Sequence, residues 1–297
     1  MHTTDELFSA QKRHSYTLKR STYAQRIAKL DTLKRALVRF KGSIIRAAAK
    51  DFNKPESEVL IAEFMPLFSE IQHTQRHLKA WMKPTRVRAP LTLFGTSSKI
   101  LYEPKGTSLI ISPWNYPVFL SFGPLISAIA AGCTAVIKPS EMTPNLSKEI
   151  KRLCDDIFES HEVAVVEGDK QVTTELLAKP FDHIFFTGSP TVGKIVMAAA
   201  AKHLTSVTLE LGGKSPVVID ETADLRDVAA RLVWAKFTNN GQTCIAPDYL
   251  LVHESVKDQL IDALSARIEE VYGTIESQKT NRDLCRIVNH QHAQRVA

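Results

Sequence analysis

The sequence has no uninterrupted apolar run long enough to predict a membrane span, no closely spaced cysteine pair and no aromatic-rich basic stripe. Its most apolar region, residues 108–136, contains three prolines and therefore predicts a buried strand and helix. The four cysteines form no CxxC pair, which argues against a zinc site and a disulfide framework and favours a reducing compartment. The amino terminus is polar and lacks an apolar signal segment. We therefore expect a cytoplasmic protein without a metal site.

The charge and composition exclude further classes of protein. The net charge of +6 is small, and the basic residues are spread along the chain. Because no basic run is interleaved with aromatic residues, we expect no nucleic-acid partner. With 44% hydrophobic and 24% charged residues, the composition is that of a folded globular protein. The 297 residues are enough for two domains or one large domain.

The pattern of apolar residues changes along the chain. The first eighty residues show helical spacing, in runs that are separated at Asn53-Lys54-Pro55. Residues 83–90 look like a linker, and residues 91–103 predict an extended arm. From Thr107 to Lys202, strands that are apolar on both faces alternate with helices, which predicts a parallel sheet covered on both sides. A second α/β pattern begins near Thr208.

One cysteine is set apart from the others by its surroundings. Cys244 lies in a short polar loop with Gly241, between a helical pattern and a strand-like run. A substrate can reach a cysteine in such a loop, whereas a cysteine in an apolar run is usually buried. The alternative for any single cysteine is a small side chain tucked under a turn. We interpret Cys133, Cys154 and Cys285 as structural.

Two candidate catalytic residues lie where a strand gives way to a turn. Asn115 is flanked by Pro113 and Pro117, which fix the backbone so that the amide can donate to an oxyanion. An ordinary turn asparagine would look the same. Glu210 lies in an apolar run that ends in two glycines, where burial would favour a general base. The alternative is a strand-end glutamate that faces water.

Two further strand ends carry candidate ligand-binding residues. Lys138 and Glu141 are suitably spaced to hydrogen-bond ribose hydroxyls, or to form an exposed ion pair. Gly188, Ser189 and Gly193 form a turn into a helix, whose first N–H groups favour a phosphate. The Gly-x4-Gly spacing misses the dinucleotide fingerprint, and a tight turn needs glycine in any case.

Together these stretches resemble the motifs of the aldehyde dehydrogenase superfamily, in the family's order, from about Arg20 to the end of the chain. The resemblance is carried by Pro113-Trp114-Asn115-Tyr116-Pro117, Lys138-Pro139-Ser140-Glu141, Phe186-Thr187-Gly188-Ser189, Leu209-Glu210-Leu211-Gly212-Gly213-Lys214 and Gly241-Gln242-Thr243-Cys244-Ile245-Ala246-Pro247-Asp248-Tyr249. The last stretch is most similar to the class 3 branch, which includes fatty, aromatic and coniferyl aldehyde dehydrogenases. The resemblance implies an α/β fold. Residues 1–209 would form N-terminal helices and a Rossmann-like parallel-sheet cofactor domain, and residues 210–297 the first part of an α/β catalytic domain.

The resemblance also implies a role for each matched residue. Cys244 matches the nucleophile, Asn115 the oxyanion donor and Glu210 the base that activates the deacylating water. The residues that match cofactor contacts are Lys138 and Glu141 at the adenosine ribose, Gly188, Ser189 and Gly193 at the phosphate-side turn, and Trp114 beside the cofactor. The implied reaction oxidises an aldehyde to a carboxylic acid with NAD or NADP, through a thiohemiacetal and a thioester on the cysteine. The implied substrates are medium or long aliphatic, or aromatic, aldehydes.

Two other functions are compatible with these residues. One is a truncated, non-catalytic fragment that binds a dinucleotide or a subunit, because the sequence lacks the Glu-x-Phe-Gly-Pro stretch that the family uses at the nicotinamide ribose. The other is a cysteine hydrolase with the same acyl-enzyme chemistry, although no histidine forms a recognisable partnership with Cys244. The resemblance implies a homodimer for a longer parent and gives less reason to expect one for this chain.

The missing nicotinamide contact leads to a first prediction. We expect purified residues 1–297 to form little or no NAD(P)H from an aldehyde, since part of the matched catalytic domain is not in the sequence. Steady-state turnover with aliphatic and aromatic aldehydes measures this. Robust NAD(P)H formation would contradict the expectation, and cofactor binding without turnover would favour the fragment.

Overall fold

The computed structural model describes residues 3–297. Its helices are α1 (Thr4–Leu18), α2 (Tyr23–Phe52), α3 (Glu56–Val59), α4 (Met65–Trp81), α5 (Phe119–Ala131), α6 (Pro144–Ile157), α7 (Lys170–Leu177), α8 (Pro190–Ala201), α9 (Leu225–Phe237), α10 (Lys257–Tyr272), α11 (Ile275–Gln278) and α12 (His290–Val296). Its strands are β1 (Thr85–Val87), β2 (Ser98–Ile100), β3 (Thr107–Ile111), β4 (Thr134–Lys138), β5 (Val163–Val165), β6 (His183–Thr187), β7 (Ser206–Glu210), β8 (Ser215–Ile219) and β9 (Pro247–Val252).

The N-terminal helices begin and end where the local sequence provides caps. Thr3 starts α1 and Thr22 starts α2, each in a capping box that satisfies free backbone N–H groups. The predicted break at Asn53 is confirmed, because this residue adopts a left-handed conformation (φ 51°) and ends α2. A π-helical segment, Leu60–Phe64, then joins α3 to α4. Within residues 3–297, no helix is long and apolar enough to cross a membrane.

Five parallel strands form the central sheet in the order β5-β4-β3-β6-β7. The chain moves outward from β3 to β5, then returns to place β6 on the other side of β3. The predicted parallel sheet is therefore confirmed. Because the strand order reverses between β3 and β6, a crevice is expected beyond their carboxyl ends, where open α/β sheets bind ligands.

Helices cover both faces of this sheet. Successive residues of β3 alternate between two buried clusters, with Ile110 in one and Leu109 and Ile111 in the other. On the Ile110 side, α5 and α6 pack on the sheet, and α2 and α4 pack outside them. On the opposite side lie α1, α7 and α8. Burial on both faces explains why these strands are continuously apolar in the sequence.

A second, two-stranded parallel sheet contains β8 and β9. It packs against α9 and α10 through the buried residues Ile219, Leu232 and Leu260. Its other face is open, since Val218 is 74% exposed and Leu251 is 54% exposed. The loop between α9 and β9 carries Cys244.

The structure corrects the expected linker over residues 83–90. This segment contains β1, which pairs antiparallel with β2 through the registers Thr85 with Ile100 and Val87 with Ser98. The β-branched residues Thr85 and Val87 favour the extended conformation. The predicted extended arm therefore forms one strand of a hairpin.

A glycine at the end of α5 gives a prediction about stability. Gly132 has φ +82°, and a Cβ there would lie 3.0 Å from the carbonyl oxygen of Leu18 and 2.6 Å from the guanidinium of Arg26. Gly132→Ala should lower the free energy of unfolding by about 1–3 kcal/mol because of this strained backbone. Gly42→Ala, inside α2 with only ordinary contact to Arg46, should raise it by about 0.5–1 kcal/mol. Urea unfolding of both variants checks this, and equal midpoints would contradict it.

Candidate functional site

The candidate residues lie at one edge of the central sheet. Asn115 follows β3, Lys138 ends β4, Gly188 follows β6 and Glu210 ends β7. The register pairs Ile111 with Lys138, and the N–H of Gly188 donates to the carbonyl of Glu210 at 3.0 Å. Because carboxyl ends of parallel strands meet at the same edge, residues that are far apart in sequence share one surface.

The loop that carries Cys244 has an unusual backbone. After α9, Asn239 and Asn240 adopt left-handed conformations with φ values of 54° and 51°. Asparagine tolerates this region better than most residues, so the two asparagines allow the chain to turn sharply out of the helix. Cys244 follows in a turn that is closed by the bond from the N–H of Ala246 to the carbonyl of Thr243. It is exposed, as the sequence predicts.

The other three cysteines are buried, in agreement with their interpretation as structural. Burial raises the pKa of the Cys285 thiol to about 12 and raises that of Cys154 further. These two thiols therefore stay protonated at neutral pH. Since the thiolate is the reactive form, neither Cys154 nor Cys285 is suited to act as a nucleophile.

Asn115 is tied directly to the cysteine loop. Its side-chain Nδ2 donates to the carbonyl of Gln242 at 2.9 Å, two residues before Cys244. Its own carbonyl accepts hydrogen bonds from Lys54 Nζ at 2.8 Å and from Asn239 Nδ2 at 3.1 Å. The proline-flanked turn after β3 is thus fixed at both its side chain and its backbone.

A second bond joins the same turn to the loop. The Tyr116 hydroxyl lies 2.7 Å from Thr243 Oγ1, next to Cys244 in sequence. Burial raises the pKa of Tyr116 to about 12, so its hydroxyl is neutral at physiological pH. Tyr116 therefore acts here as a neutral hydrogen-bonding group.

Gln242 and Glu58 hold the base of the Cys244 loop through hydrogen bonds. Gln242 Nε2 donates to the carbonyls of Asn239 (2.9 Å) and Arg286 (3.0 Å), and its Oε1 accepts from the N–H of Val288. Glu58 Oε2 accepts from the N–H of Asn239 at 2.8 Å. Burial raises the pKa of Glu58, an effect that this hydrogen bond partly offsets. Cys244 thus projects from a loop whose base is held at several points.

Glu210 differs from the sequence expectation. It is exposed at the end of β7, so its apolar neighbours in sequence do not bury it. The following chain passes close to the Cys244 loop, because a Cβ on Gly213 would lie 2.6 Å from the Cys244 carbonyl oxygen. The Glu210 stretch and the Cys244 loop are therefore adjacent, with a carboxylate open to water.

At the end of β4, Lys138 is buried and Glu141 is half exposed. Their side chains pair at 3.2 Å, and Lys138 Nζ also donates to the carbonyl of Pro139. The ion pair considered from the sequence is present, and the side chain of Glu141 stays 50% exposed within it.

The turn after β6 is shaped by packing. A Cβ on Gly188 would lie 2.5 Å from the Phe186 ring, and a Cβ on Gly193 would lie 2.9 Å from Leu211. Ser189 caps α8 through a 3.3 Å bond from the N–H of Val192 to its hydroxyl. Close packing therefore explains why both positions are glycine, without reference to a ligand.

Trp114 lies beside the C-terminal helix. Its ring centroid is 5.1 Å from that of His292 in α12, with the planes tilted by 59°.

A cavity of about 730 Å³ lies elsewhere, between α1 and the start of α2, lined by residues that include His14 and Lys19. This cavity contains none of the candidate residues.

Comparison with known proteins identifies the family. The aldehyde dehydrogenase family profile matches residues 2–297. The chain belongs to the aldehyde dehydrogenase family. A 4,4'-diaponeurosporen-aldehyde dehydrogenase of Staphylococcus aureus is 45% identical over 296 residues, which are 100% of this chain and 64% of that protein. Aldehyde dehydrogenase family 3 member H1 of Arabidopsis thaliana is 41% identical over 276 residues, or 93% of this chain and 57% of that protein.

A solved structure of the same family supports the fold. The substrate-bound state of Staphylococcus aureus AldH superposes with a TM-score of 0.94 at 45% identity, covering 100% of this chain and 64% of that one. The family 3 relative confirms the class 3 resemblance. The chain therefore spans less than two thirds of the length of these relatives.

Polar groups lie at the carboxyl ends of β4 and β6, beside the expected crevice. The buried hydroxyl of Thr187, at the end of β6, has no hydrogen-bond partner among the described residues. Such an atom favours a polar ligand at this point. At the exposed start of α8, Pro190 has no N–H and the Val192 N–H bonds to Ser189, which leaves the N–H of Thr191 among the first three residues. Lys138 with Glu141 supplies polar groups at the neighbouring strand end.

Sequence reasoning missed several residues that support the site. Lys54, Glu58 and Glu63 come from the N-terminal helices, where no short motif indicated chemistry. Asn239 and Gln242 flank Cys244, but only their three-dimensional contacts show that they hold the loop. The only local sign of a special role for one of these residues was the position of Lys54 at the break between two helical runs.

The close approach at Gly213 gives a matched pair of variants. Gly213→Ala should slow acylation of Cys244 by an aryl ester by about tenfold or more, since the new Cβ displaces the Cys244 backbone. Gly212→Ala, whose added Cβ would meet no atom within 4 Å, should change the rate by less than about twofold. Burst kinetics measure both rates, and equal rates would contradict the prediction.

Proposed function

We propose that the chain carries the nucleophile, oxyanion donor and general base for oxidation of an aldehyde to a carboxylic acid with NAD(P)+. The observation that carries the proposal is the hydrogen bond from Asn115 Nδ2 to the carbonyl of Gln242. It holds the candidate oxyanion donor against the loop of the exposed Cys244. Membership of the aldehyde dehydrogenase family agrees with this chemistry.

In this proposal the Cys244 thiolate attacks the aldehyde carbon and forms a thiohemiacetal. An amide nitrogen carries two N–H donors, and Asn115 uses one for Gln242. The other donates to the oxyanion that develops on the substrate. Because the turn is fixed at its backbone by Lys54 and Asn239, the donor needs little rearrangement when the charge forms.

Glu210 acts in the second half of the reaction. Its exposed carboxylate lies at the end of β7, on the stretch that runs against the Cys244 loop. We propose that it removes a proton from the water that attacks the thioester, so that the acid leaves and the thiol is regenerated. Exposure to water suits this role, although it differs from the burial expected from the sequence.

The cofactor residues are proposed on the same basis. Lys138 and Glu141 would hold the adenosine ribose, and Gly188, Ser189 and Gly193 would border the phosphates, with Trp114 nearby. The buried hydroxyl of Thr187, which has no hydrogen-bond partner among the described residues, and the exposed start of α8 support this placement. Bound NAD or NADP supplies the hydride acceptor.

The substrate is proposed to be a long apolar or aromatic aldehyde. The Staphylococcus aureus relative is named for 4,4'-diaponeurosporen-aldehyde. In this chain, Ile245 is 78% exposed immediately after Cys244 and offers an apolar surface beside the nucleophile. Burial of such a surface by an apolar substrate is favourable.

We also propose the domain division near Glu210 and a cytoplasmic location. The five-stranded sheet includes Glu210 in its last strand, and the separate sheet of β8 and β9 begins at Ser215. All four cysteines are free, as is typical of a reducing compartment.

A second candidate is dinucleotide binding without turnover. The observation that favours it is the length of the chain, which is 64% of the Staphylococcus aureus relative. In that case the chain would bind a dinucleotide in the crevice but would not oxidise an aldehyde.

Acylation of Cys244 tests the proposal without a cofactor. With p-nitrophenyl acetate, the thiolate displaces p-nitrophenolate and becomes acetylated. Cys244→Ala should abolish the burst, and Asn115→Ala should slow it by about 100-fold because one oxyanion donor is lost. Glu210→Gln should keep the burst and slow the deacylation that follows by about 100-fold or more.

The control and the opposing outcomes are distinct. Cys133→Ala, at a buried cysteine, should keep the burst. A burst that survives in Cys244→Ala, or a wild-type chain without one, would refute the proposed chemistry. Dinucleotide binding by a chain that shows no Cys244-dependent burst would instead support the second candidate.

A further inference from the structure

Two fully buried charges lie beneath the Asn115 turn. The side chains of Lys54 and Glu63 are both 0% exposed and form an ion pair at 3.1 Å. Lys54 lies between α2 and α3, and Glu63 lies in the π-helical segment before α4. Neither matches a motif found in the sequence, and neither reacts with substrate in the proposed chemistry.

Lys54 contacts the turn through its charged nitrogen. Nζ donates to the Asn115 carbonyl at 2.8 Å and lies 4.2 Å from the centroid of the Tyr116 ring. Nζ thus makes two hydrogen bonds, to Glu63 and to Asn115, and a cation–π contact with Tyr116. The same nitrogen therefore touches the backbone of Asn115 and the side chain of Tyr116, both of which bind the Cys244 loop.

Glu63 holds the other end of the turn. Its Oε2 accepts from the N–H groups of Val118 at 2.7 Å and Phe119 at 3.1 Å, at the start of α5. A carboxylate at a helix N-terminus satisfies free N–H groups and interacts favourably with the helix dipole. The π-helical segment alters the helical register where Glu63 lies, and such segments are frequent at functional sites.

Stability alone gives little reason for this arrangement. Removing two charges from water is unfavourable, and well-packed apolar side chains commonly stabilise a core as well as a buried ion pair does. The distinctive property of the pair is its directional bonding to three successive parts of one turn. Lys54 fixes Asn115 and Tyr116, and Glu63 fixes the start of α5.

We propose that Lys54 and Glu63 are positioning residues that hold the Asn115 amide at the oxyanion site beside Cys244. This inference rests on the proposed function, because it assigns to Asn115 the role of oxyanion donor. Without the pair, the Asn115 carbonyl retains Asn239 as its partner, but the turn loses the constraint from the segment between α2 and α4. The amide then samples orientations that no longer face the substrate oxygen.

Two reactions of Cys244 separate positioning from a general structural effect. Acylation by p-nitrophenyl acetate passes through a tetrahedral oxyanion and needs the Asn115 amide. Alkylation by iodoacetamide displaces iodide directly from carbon and forms no oxyanion. Both reactions use the same thiolate and loop, so damage to the loop slows both, whereas a misplaced amide slows only acylation.

The test variant is Lys54→Met/Glu63→Gln. It removes both charges together, because loss of one partner would leave an unpaired buried charge and endanger folding. Glutamine keeps an oxygen acceptor for the N–H of Val118, and methionine keeps most of the lysine volume. The matched control is Lys29→Met/Glu162→Gln, which removes a partly buried ion pair away from the Asn115 turn.

The test variant should acylate at least about tenfold more slowly than the wild-type chain, since small displacements of a catalytic group have large effects. Its alkylation at Cys244, followed by peptide mass spectrometry, should stay within about twofold of wild type, and the control should keep both rates. Unchanged acylation would overturn the inference. Equal slowing of both reactions would also overturn it and would indicate a structural role.

A crystal structure of the test variant gives an independent result. The distance between Asn115 Nδ2 and the Gln242 carbonyl, 2.9 Å here, should lengthen beyond hydrogen-bond range or the amide should become disordered. A bond that remains at its present length would refute the positioning role. If Asn115→Ala acylates at the wild-type rate, the proposed function itself fails, which distinguishes that failure from failure of the pair.

Discussion

The hydrogen bond from Asn115 Nδ2 to the Gln242 carbonyl connects the two parts of the chain at the point where chemistry is proposed. One partner follows the first strand of the central sheet, and the other belongs to the loop before β9. A single bond of this kind stabilises a protein by only about 1 kcal/mol. Its importance lies in its geometry, because it fixes the orientation of the Asn115 amide relative to the loop that carries the exposed Cys244. The contacts of Lys54, Asn239 and Tyr116 all restrain this arrangement of the Asn115 turn and the Cys244 loop.

The large-scale architecture could be predicted from sequence because its signals are local. Continuous apolar strands alternating with helices indicate a parallel sheet, and the glycine- and proline-bearing stretches lie at strand ends. The predicted alternation from Thr107 to Lys202 corresponds to the run from β3, which begins at Thr107, to α8, which ends at Ala201. The exposed setting of Cys244 also followed from its polar loop. In contrast, the short strand β1 was hidden in a linker-like segment whose pairing partner lies in the arm.

The supporting contacts of the site could not be predicted, since they depend on long-range packing. Lys54 reaches Asn115 across 61 positions of sequence, and Glu58 reaches Asn239 across 181. No local pattern encodes such a distance. Glu210 shows the opposite case, in which a local pattern was misleading. Its apolar neighbours suggest burial, but β7 is the edge strand of the sheet, and its last side chain faces water.

Asn239 leaves almost no freedom for substitution or redesign at its position. Its backbone is left-handed, its side chain is fully buried, and its Nδ2 bonds two carbonyls while its Oδ1 lies 3.3 Å from the Cys285 thiol. Glycine would adopt the backbone but lose all three side-chain bonds, and aspartate would place an acceptor against two carbonyl oxygens. Variants made to alter the proposed substrate specificity should therefore change the open surface around Ile245 and keep residue 239 unchanged.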